Sequence, residues 1–264
     1  MSNKLLQWGL VLVLGLPAVA QATLISRLAG QAYYDDVLDI TWLQDANLAD
    51  SNSFGVGGVI ASGRMNWNTA NSWITAMNAD GGTGYLGFND WRLPTLSPVS
   101  GGATFNVAFS NNGTTDIGYG ATDIGWQTSA VPSAFVSEMG YMYYANLANL
   151  GSCTPNNASP GLCSVTQPGS GLIRTEPFQN VQKHAYWSEE FAQNRAWIFG
   201  FFDGKQDEAD KTVQSFAWAV SPGDVGRSGD VAAVPEPGTA LLVGAGLLGL
   251  MGFKRSTRRG ASVI

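Results

Sequence analysis

The stretch AWIFGFFDGKQDEADKTVQSFAWAV, residues 196–220, decides the class of fold. Its ends are rich in aromatic and β-branched residues and its middle is polar, so Ala196 to Phe202 and Ser215 to Val220 read as strands. Trp197, Phe199 and Phe201 alternate with Ile198, Gly200 and Phe202, a pattern that predicts burial on both faces. Residues 203–211 then read as the hairpin loop that joins the two strands. Tyr186-Trp187-Ser188 adds a third short strand just upstream.

Working outward from this strand-rich end, the periodicity changes. A helix is expected from Asn66 or Asn68 to about Asn78, where Trp67, Ala70, Ile74 and Met77 form one apolar stripe and Asp80-Gly81-Gly82 stops it. A second helix fits residues 133–149, with Ser133 as N-cap and Phe135, Met139, Met142 and Tyr143 at helical spacing. Val37 to Leu43 reads as a strand, and Gly87 to Thr95 as a shorter one cut off by Pro94. Glycine-rich turns at Gly55 to Gly63, the stretch 97–130 and the Pro/Ser/Asn-rich loop 151–171 separate these elements. The expected fold class is α+β: a single domain over residues 23–229 with short twisted antiparallel strands, two main helices and long loops.

Both ends carry targeting features. Lys4, the apolar run Leu5 to Val19 and the small residues of Ala20-Gln21-Ala22 predict a signal peptide, residues 1–22, cleaved after Ala22. At the other end the apolar run Gly238 to Phe253 would span roughly 24 Å as a helix. That is shorter than the roughly 30 Å hydrocarbon core. Four glycines weaken it further, so it suits transient or partial membrane insertion through 238–253 better than permanent anchorage. Pro235-Glu236-Pro237, this run, and Lys254, Arg255, Arg258 and Arg259 together resemble the PEP-CTERM sorting signal of exported bacterial proteins, here residues 230–260. The resemblance implies two hydrophobic targeting helices on the precursor, processing by signal peptidase and an exosortase, and a final location at the cell surface or in the extracellular matrix. Systems of this kind usually accompany exopolysaccharide production.

Between the signals, residues 23–234 hold 9 basic and 19 acidic side chains, a balance of −10. So acidic a domain repels nucleic acid and anionic lipid. Cys153 and Cys163 are the only cysteines. Export to an oxidising compartment predicts a disulfide between them, with a stabilisation of roughly 2.5–3 kcal/mol from closing so short a loop.

Leu38 to Gln44, the Trp67 helix, Gly87 to Thr95, Ser137-Glu138-Met139 with Tyr143-Tyr144, Tyr186-Trp187-Ser188 and Ala217 to Val220 occur in an order that resembles a bacterial domain family. That family includes the C-terminal domain of a collagen-like adhesin and is related to C-type-lectin and formylglycine-enzyme folds. The resemblance implies a lectin-like binding module, with a glycan or surface protein as partner. This chain departs from the adhesin in being strongly acidic, which argues against sulfated glycans.

Candidate site residues follow from side-chain chemistry. Trp126 and Tyr119, in a short repeat (Thr115 to Tyr119 and Thr122 to Trp126), are candidates for stacking on sugar rings. The tryptophans of the regular elements are expected in the core. Asp203, Asp207, Glu208 and Asp210 cluster oxygens in a way that could hold calcium, the one cofactor the sequence raises; a solvated hairpin tip is the plainer reading. Asp35, Asp36 and Asp39 form a second acidic group. Asp90 and Arg92 are expected on the face opposite Trp91 and Leu93, with Arg92 suited to a bidentate carboxylate pair, for instance near Asp39. His184 is the sole histidine, Ser188 lacks a nucleophile-elbow motif, and Glu189 and Glu190 would face opposite ways on a strand. No catalytic set emerges, and the leading expectation is a non-enzymatic binding module. A structural matrix component and a polysaccharide-acting enzyme are the alternatives.

Overall fold

The computed structural model describes residues 23–111, 114–119, 137–153 and 166–227. The signal peptide with Ala20 and Ala22, Trp126, Cys163 and the sorting segment with Pro235, Glu236, Pro237, Arg255, Arg258 and Arg259 lie outside them, as do both expected targeting helices. Among the described residues no helix is long and apolar enough to cross a membrane. The chain divides into two compact units, Met1–Val225 and Gly226–Ile264. The first holds every described strand and helix.

Two sheets and few helices build this unit, a mixed, strand-rich arrangement consistent with α+β. Leu24–Arg27 (β1), Ala32–Asp35 (β2), Ile40–Leu43 (β3) and Val220–Pro222 (β9) form the first sheet, in the order β1-β2-β3-β9 and all antiparallel. Phe109–Ser110 (β4), Ile117–Gly118 (β5), Ala185–Ala192 (β6), Arg195–Gly200 (β7) and Lys205–Asp210 (β8) form the second, in the order β4-β5-β8-β7-β6. Only the β4–β5 pair is parallel. Helices Leu48–Ser51 (α1), Trp67–Ala79 (α2) and Glu138–Tyr141 (α3) come between in the chain, and α3 runs into a π-helical turn, Met142–Asn146.

Helix α2 forms where its sequence requires. The Asn66 side chain caps it by accepting from Thr69 N at 2.8 Å. Gly81 and Gly82, both at positive φ, follow its end. It buries Ala70, Trp73, Ile74 and Met77, so Trp73 replaces Trp67 in the expected stripe. Trp67 is half-buried, with its indole donating to Ser188 O at 2.9 Å and Lys211 lying 4.3 Å above its ring.

Residues 196–220 depart most from expectation. The strand ends at Gly200, and its partner is Lys205–Asp210, which pairs along its whole length from Arg195↔Asp210 to Gly200↔Lys205. The expected hairpin loop is therefore a strand. It lies between β5 and β7, with Gln206 buried and side-chain ion pairs in place of apolar packing. Ser215 to Val220 is mostly not a strand, because its backbone changes partner at almost every residue. Ser215 bridges Met65, Phe216 bridges Tyr186, Ala219 O accepts from Leu43 N, and Val220 bridges Arg92. The segment is thus threaded between the two sheets and buried throughout.

Other differences have equally local causes. The Val37–Leu43 strand starts only at Ile40, because the Asp35 carboxylate accepts from Val37 N and Leu38 N, both at 3.0 Å, and turns the chain there. The second helix is shortened: its N-cap is Ser137, whose hydroxyl accepts from Gly140 N at 3.0 Å, and Ser133 and Phe135 lie outside the described residues. The Gly87–Thr95 strand is reduced to the bridge Arg92↔Val220. Pro94 has no N–H, and carboxylates rather than a neighbouring strand take the next two amides: Glu138 accepts from Thr95 N and Glu189 from Leu96 N.

One aromatic core joins everything. Trp42, Trp73, Trp91, Trp187 and Trp218 are fully buried in it, while Trp197 sits in a smaller cluster with Leu96 and Ile117. Most of these indoles also tie distant segments together: Trp73 donates to Asn52 O, Trp91 to Tyr85 O, Trp187 to Met65 O and Trp218 to Leu43 O.

Cys153 is buried beside Thr166, with which it forms an isolated bridge. Its proposed partner Cys163 lies outside the described residues. The exported protein is expected to show no free thiol after denaturation, and its reduction to cost roughly 2.5–3 kcal/mol. Two titratable thiols in the unreduced protein would overturn the pairing.

Candidate functional site

The tight turn between β7 and β8 organises the most distinctive surface of the described residues. Asp203 N and Gly204 N both donate to Gly200 O, closing the turn. Asp203 is directed inward: Tyr119 Oη donates to its Oδ2 at 2.9 Å, and Lys205 N to its Oδ1 at 3.0 Å. Its carbonyl accepts from Ser152 N at 2.7 Å. Gly204 sits at φ +79, and a Cβ there would lie 2.6 Å from Tyr144 Oη, so no other residue fits. Phe202 lies in the turn beyond the end of β7, and a Cβ on Gly200 would lie 2.5 Å from Asp203 Oδ1 and 3.0 Å from the Phe202 ring, so the carboxylate and the ring adjoin the same position. Phe201 is fully buried and Phe202 is 47% exposed.

Two further segments border Phe202. Leu150 bridges Gly171, and a Cβ on Gly171 would lie 3.1 Å from Phe202 O and 4.0 Å from Lys183 Nζ. Asn149, buried, fixes the adjoining strand-like segment in the manner of a neighbouring backbone. Its Oδ1 accepts from Ile173 N at 3.0 Å and Arg174 N at 2.8 Å, and its Nδ2 donates to Arg174 O at 2.9 Å. Arg174 Nη1 donates to Ala148 O. Leu150, Ile173 and Phe202, on these adjoining backbone segments, are 42%, 65% and 47% exposed. Asn149→Ala would strand two amide donors and is expected to cost about 2 kcal/mol, read by urea denaturation; an unchanged midpoint would show that this clamp contributes nothing to stability.

Burial pushes the Asp203 carboxyl above its ordinary range, against the pull of its amide and Tyr119 donors. Burial likewise raises the phenols of Tyr119 and Tyr143, next to Asp203. Tyr119 and the Lys205 amide donate to Asp203, and Tyr143 Oη donates to Leu150 O, so these groups tie the turn to its neighbours.

Of the residues singled out from the sequence, Tyr119 and Asp203 meet in one hydrogen bond. Trp126 lies outside the described residues. The proposed metal ligands do not converge. Asp207 pairs with Lys205 and Glu208 with Arg195, while Asp210 accepts from the Thr212 amide and hydroxyl. Among the described residues no three His, Cys, Asp or Glu side chains could jointly hold a metal ion. The physical reason is the strand itself, which sends Asp207 and Glu208 to opposite faces. The second acidic group is dispersed as well: Asp35 is buried, Asp36 accepts from Thr23 N, and Asp39 from Tyr34 Oη.

Arg92 does form a bidentate pair, at 2.8 Å on both arms, but with Glu138 rather than a residue near Asp39. Asp90 accepts from Ser221 Oγ. Glu189 and Glu190 face apart as expected, Glu189 to Leu96 N and Glu190 to Lys211. The His184 ring packs 5.5 Å from Phe216. Ser188 is four strand positions further on, roughly 13 Å away, out of reach for a catalytic pair.

Sequence reasoning missed Asn149, Ile173, Arg174, Lys183 and Phe202. The Asp203-Gly204 pair, a strong hairpin signal, would have placed the turn at 201–204 and turned Phe202 outward. Nothing local marks the other four.

Residues 233–259 match the PEP-CTERM protein-sorting motif. No curated protein and no solved structure matches the chain. The motif implies export and exosortase-dependent sorting to the cell surface or extracellular space. The likeness of the middle region to the collagen-like adhesin family gains no support from these comparisons.

Proposed function

We propose that the domain between the two signals, residues 23–229, is a non-enzymatic binding module that engages a glycan or a protein partner at the cell surface or in the extracellular matrix. The observation that supports this reading is the exposure of Leu150, Ile173 and Phe202 on adjoining backbone segments held by a glycine turn and an asparagine clamp. Rigid presentation lowers the ordering cost of binding. An aromatic ring so presented can stack on a sugar face or anchor in a protein pocket. Asp203, Asp207, Glu208, Asp210, Glu189 and Glu190 are engaged in ion pairs and hydrogen bonds.

The test is saturable binding of the exported protein to a panel of polysaccharides and purified surface proteins, compared with Phe202→Ser and Ile173→Ser. Each substitution is expected to weaken binding at least about tenfold, with the thermal midpoint essentially unchanged because both side chains are already in water. Binding that ignores both substitutions, or no binding to any probe, would sink the reading. No binding would favour a structural matrix component, and turnover of a polysaccharide would favour an enzyme.

A further inference from the structure

We infer that removal of the signal peptide supplies a structural cation: the α-ammonium freed on Thr23 pairs with the Asp36 carboxylate and completes an acidic corner of the first sheet. Thr23 is the first residue after the expected cleavage at Ala22, and its nitrogen already donates to Asp36 Oδ1 at 2.9 Å. The contact extends the strand ladder by one row, since the next pair inward is Leu24↔Asp35. Hydrolysis of the Ala22–Thr23 bond adds one water across it. The hydroxyl stays on the Ala22 carbonyl carbon, and the Thr23 nitrogen takes the proton and becomes an amine. That amine takes a second proton at neutral pH. An amide–carboxylate hydrogen bond thereby becomes an ion pair at the same nitrogen.

The surroundings favour such a charge. Residues 23–40 hold three aspartates and one arginine. Asp35 is buried among the Val37, Leu38 and Asn146 donors, Asp36 is exposed, and Asp39 accepts from Tyr34 Oη at 2.9 Å. Asp224, just beyond β9, reaches the same corner and accepts from Arg27 Nε and from Arg27 Nη2, the latter at 2.8 Å. The Arg27 guanidinium lies 5.6 Å from the centre of the Tyr34 ring. Burial and the hydrogen bond to Asp39, with the neighbouring charges of Asp39, Asp224 and Asp36, push the Tyr34 phenol up to about 12. Three carboxylates thus surround Tyr34 beside one guanidinium already committed to Asp224, and the Thr23 α-ammonium adds a second positive charge. Strand β1 is a four-residue edge strand. In the mature protein ion pairs hold it at both ends, Thr23–Asp36 at its start and Arg27–Asp224 at its finish. In the precursor the Thr23 nitrogen is a neutral amide, and its hydrogen bond to the carboxylate is the weaker kind.

The experiment needs no ligand, so its outcome is independent of the binding-module reading. The exported protein is purified, its N-terminus is sequenced, and its α-amino group is titrated by NMR, beside the Asp36→Asn variant. The sequence is expected to begin at Thr23. The amine is expected to titrate about half a pH unit above its ordinary value of roughly 7.7–8.0, and lower in Asp36→Asn. A folded-state value raised in this way gives stability that is fully present below the ordinary value and lost as pH rises through the raised one. Acetylating the α-amine removes the charge but keeps an N–H donor. Asp36→Asn is therefore expected to lower the thermal midpoint at neutral pH more in the free-amine protein than in the acetylated one, and the difference should vanish once the amine is neutral. A first residue other than Thr23 would overturn the inference. So would an amine that titrates at the same pH in both proteins, or an Asp36→Asn effect that acetylation leaves unchanged.

Discussion

Replacing Asp35 by alanine is expected to lower the stability of the domain by about 3 kcal/mol, whereas Asp35→Asn is expected to leave it unchanged or raise it at neutral pH. Asp35 has no solvent exposure. Its Oδ1 accepts from Val37 N and Leu38 N, and its Oδ2 from Asn146 Nδ2 at 2.6 Å. Alanine strands all three donors. Asparagine keeps the acceptor for the two amides, and its own Nδ2 then meets Asn146. The Asn146 Oδ1 is buried without a partner, so rotating that amide restores a hydrogen bond and removes a buried charge. Urea denaturation of the two variants decides the matter; an Asp35→Asn protein as unstable as Asp35→Ala would refute this account of the site.

The same residue sets a pH dependence. Burial holds the carboxyls of Asp35, Glu189 and Asp203 above their ordinary range. The folded state therefore binds these protons more tightly than the unfolded chain. Their contribution is fully present below the ordinary carboxylate value and is lost as pH rises through the raised folded-state values. The thermal midpoint should accordingly climb as pH falls from neutrality into the upper carboxylate range. Asp210 acts in the opposite sense and at lower pH, because the Thr212 amide and hydroxyl depress its value. Asp35→Asn should flatten the slope, and an unaltered slope would show that Asp35 does not titrate there.

The second large effect separates two tryptophans in the same cluster, with ring centroids 4.9 Å apart. Trp218→Phe is expected to cost about 3 kcal/mol, from lost ring volume together with the stranded Leu43 carbonyl that the indole now donates to at 2.7 Å. Trp42→Phe should cost only about 1 kcal/mol. Its indole N–H is buried without a partner, so the substitution removes an unsatisfied donor along with the volume. Equal losses in the two variants would show that packing alone decides. The Phe178, Tyr186 and Phe201 rings that surround Trp218 make further loss of volume there hard to refill.

These contrasts show what was legible in the residues. Ala70, Ile74 and Met77 of the α2 stripe, the bidentate need of Arg92 and the burial of Trp42, Trp91, Trp187, Trp197 and Trp218 follow from periodicity and side-chain chemistry within a few positions, whereas Trp67, expected in the core, is half-buried and Trp73 takes its place. The Glu138 partner of Arg92 is 46 residues away and had no local mark. Lys205–Asp210 carries six mostly charged residues and still forms a strand, since flanking strands and ion pairs supplied what its own composition lacks. Exposed Leu150, Ile173 and Phe202 lie on three segments separated in sequence, none of which looks like a site by itself.

By itself the sequence determined the sorting signal of this protein and the materials of its core. A sorting signal is read as a linear string, and an aromatic-rich chain must bury its rings wherever it folds. Tertiary structure alone decided which side chains remained outside. Exposure of Phe202 depends on a turn closed by Gly200, Asp203 and Gly204, and that of Ile173 on a clamp from Asn149. Each of these is a choice among distant partners, made by packing and hydrogen-bond satisfaction across the whole domain.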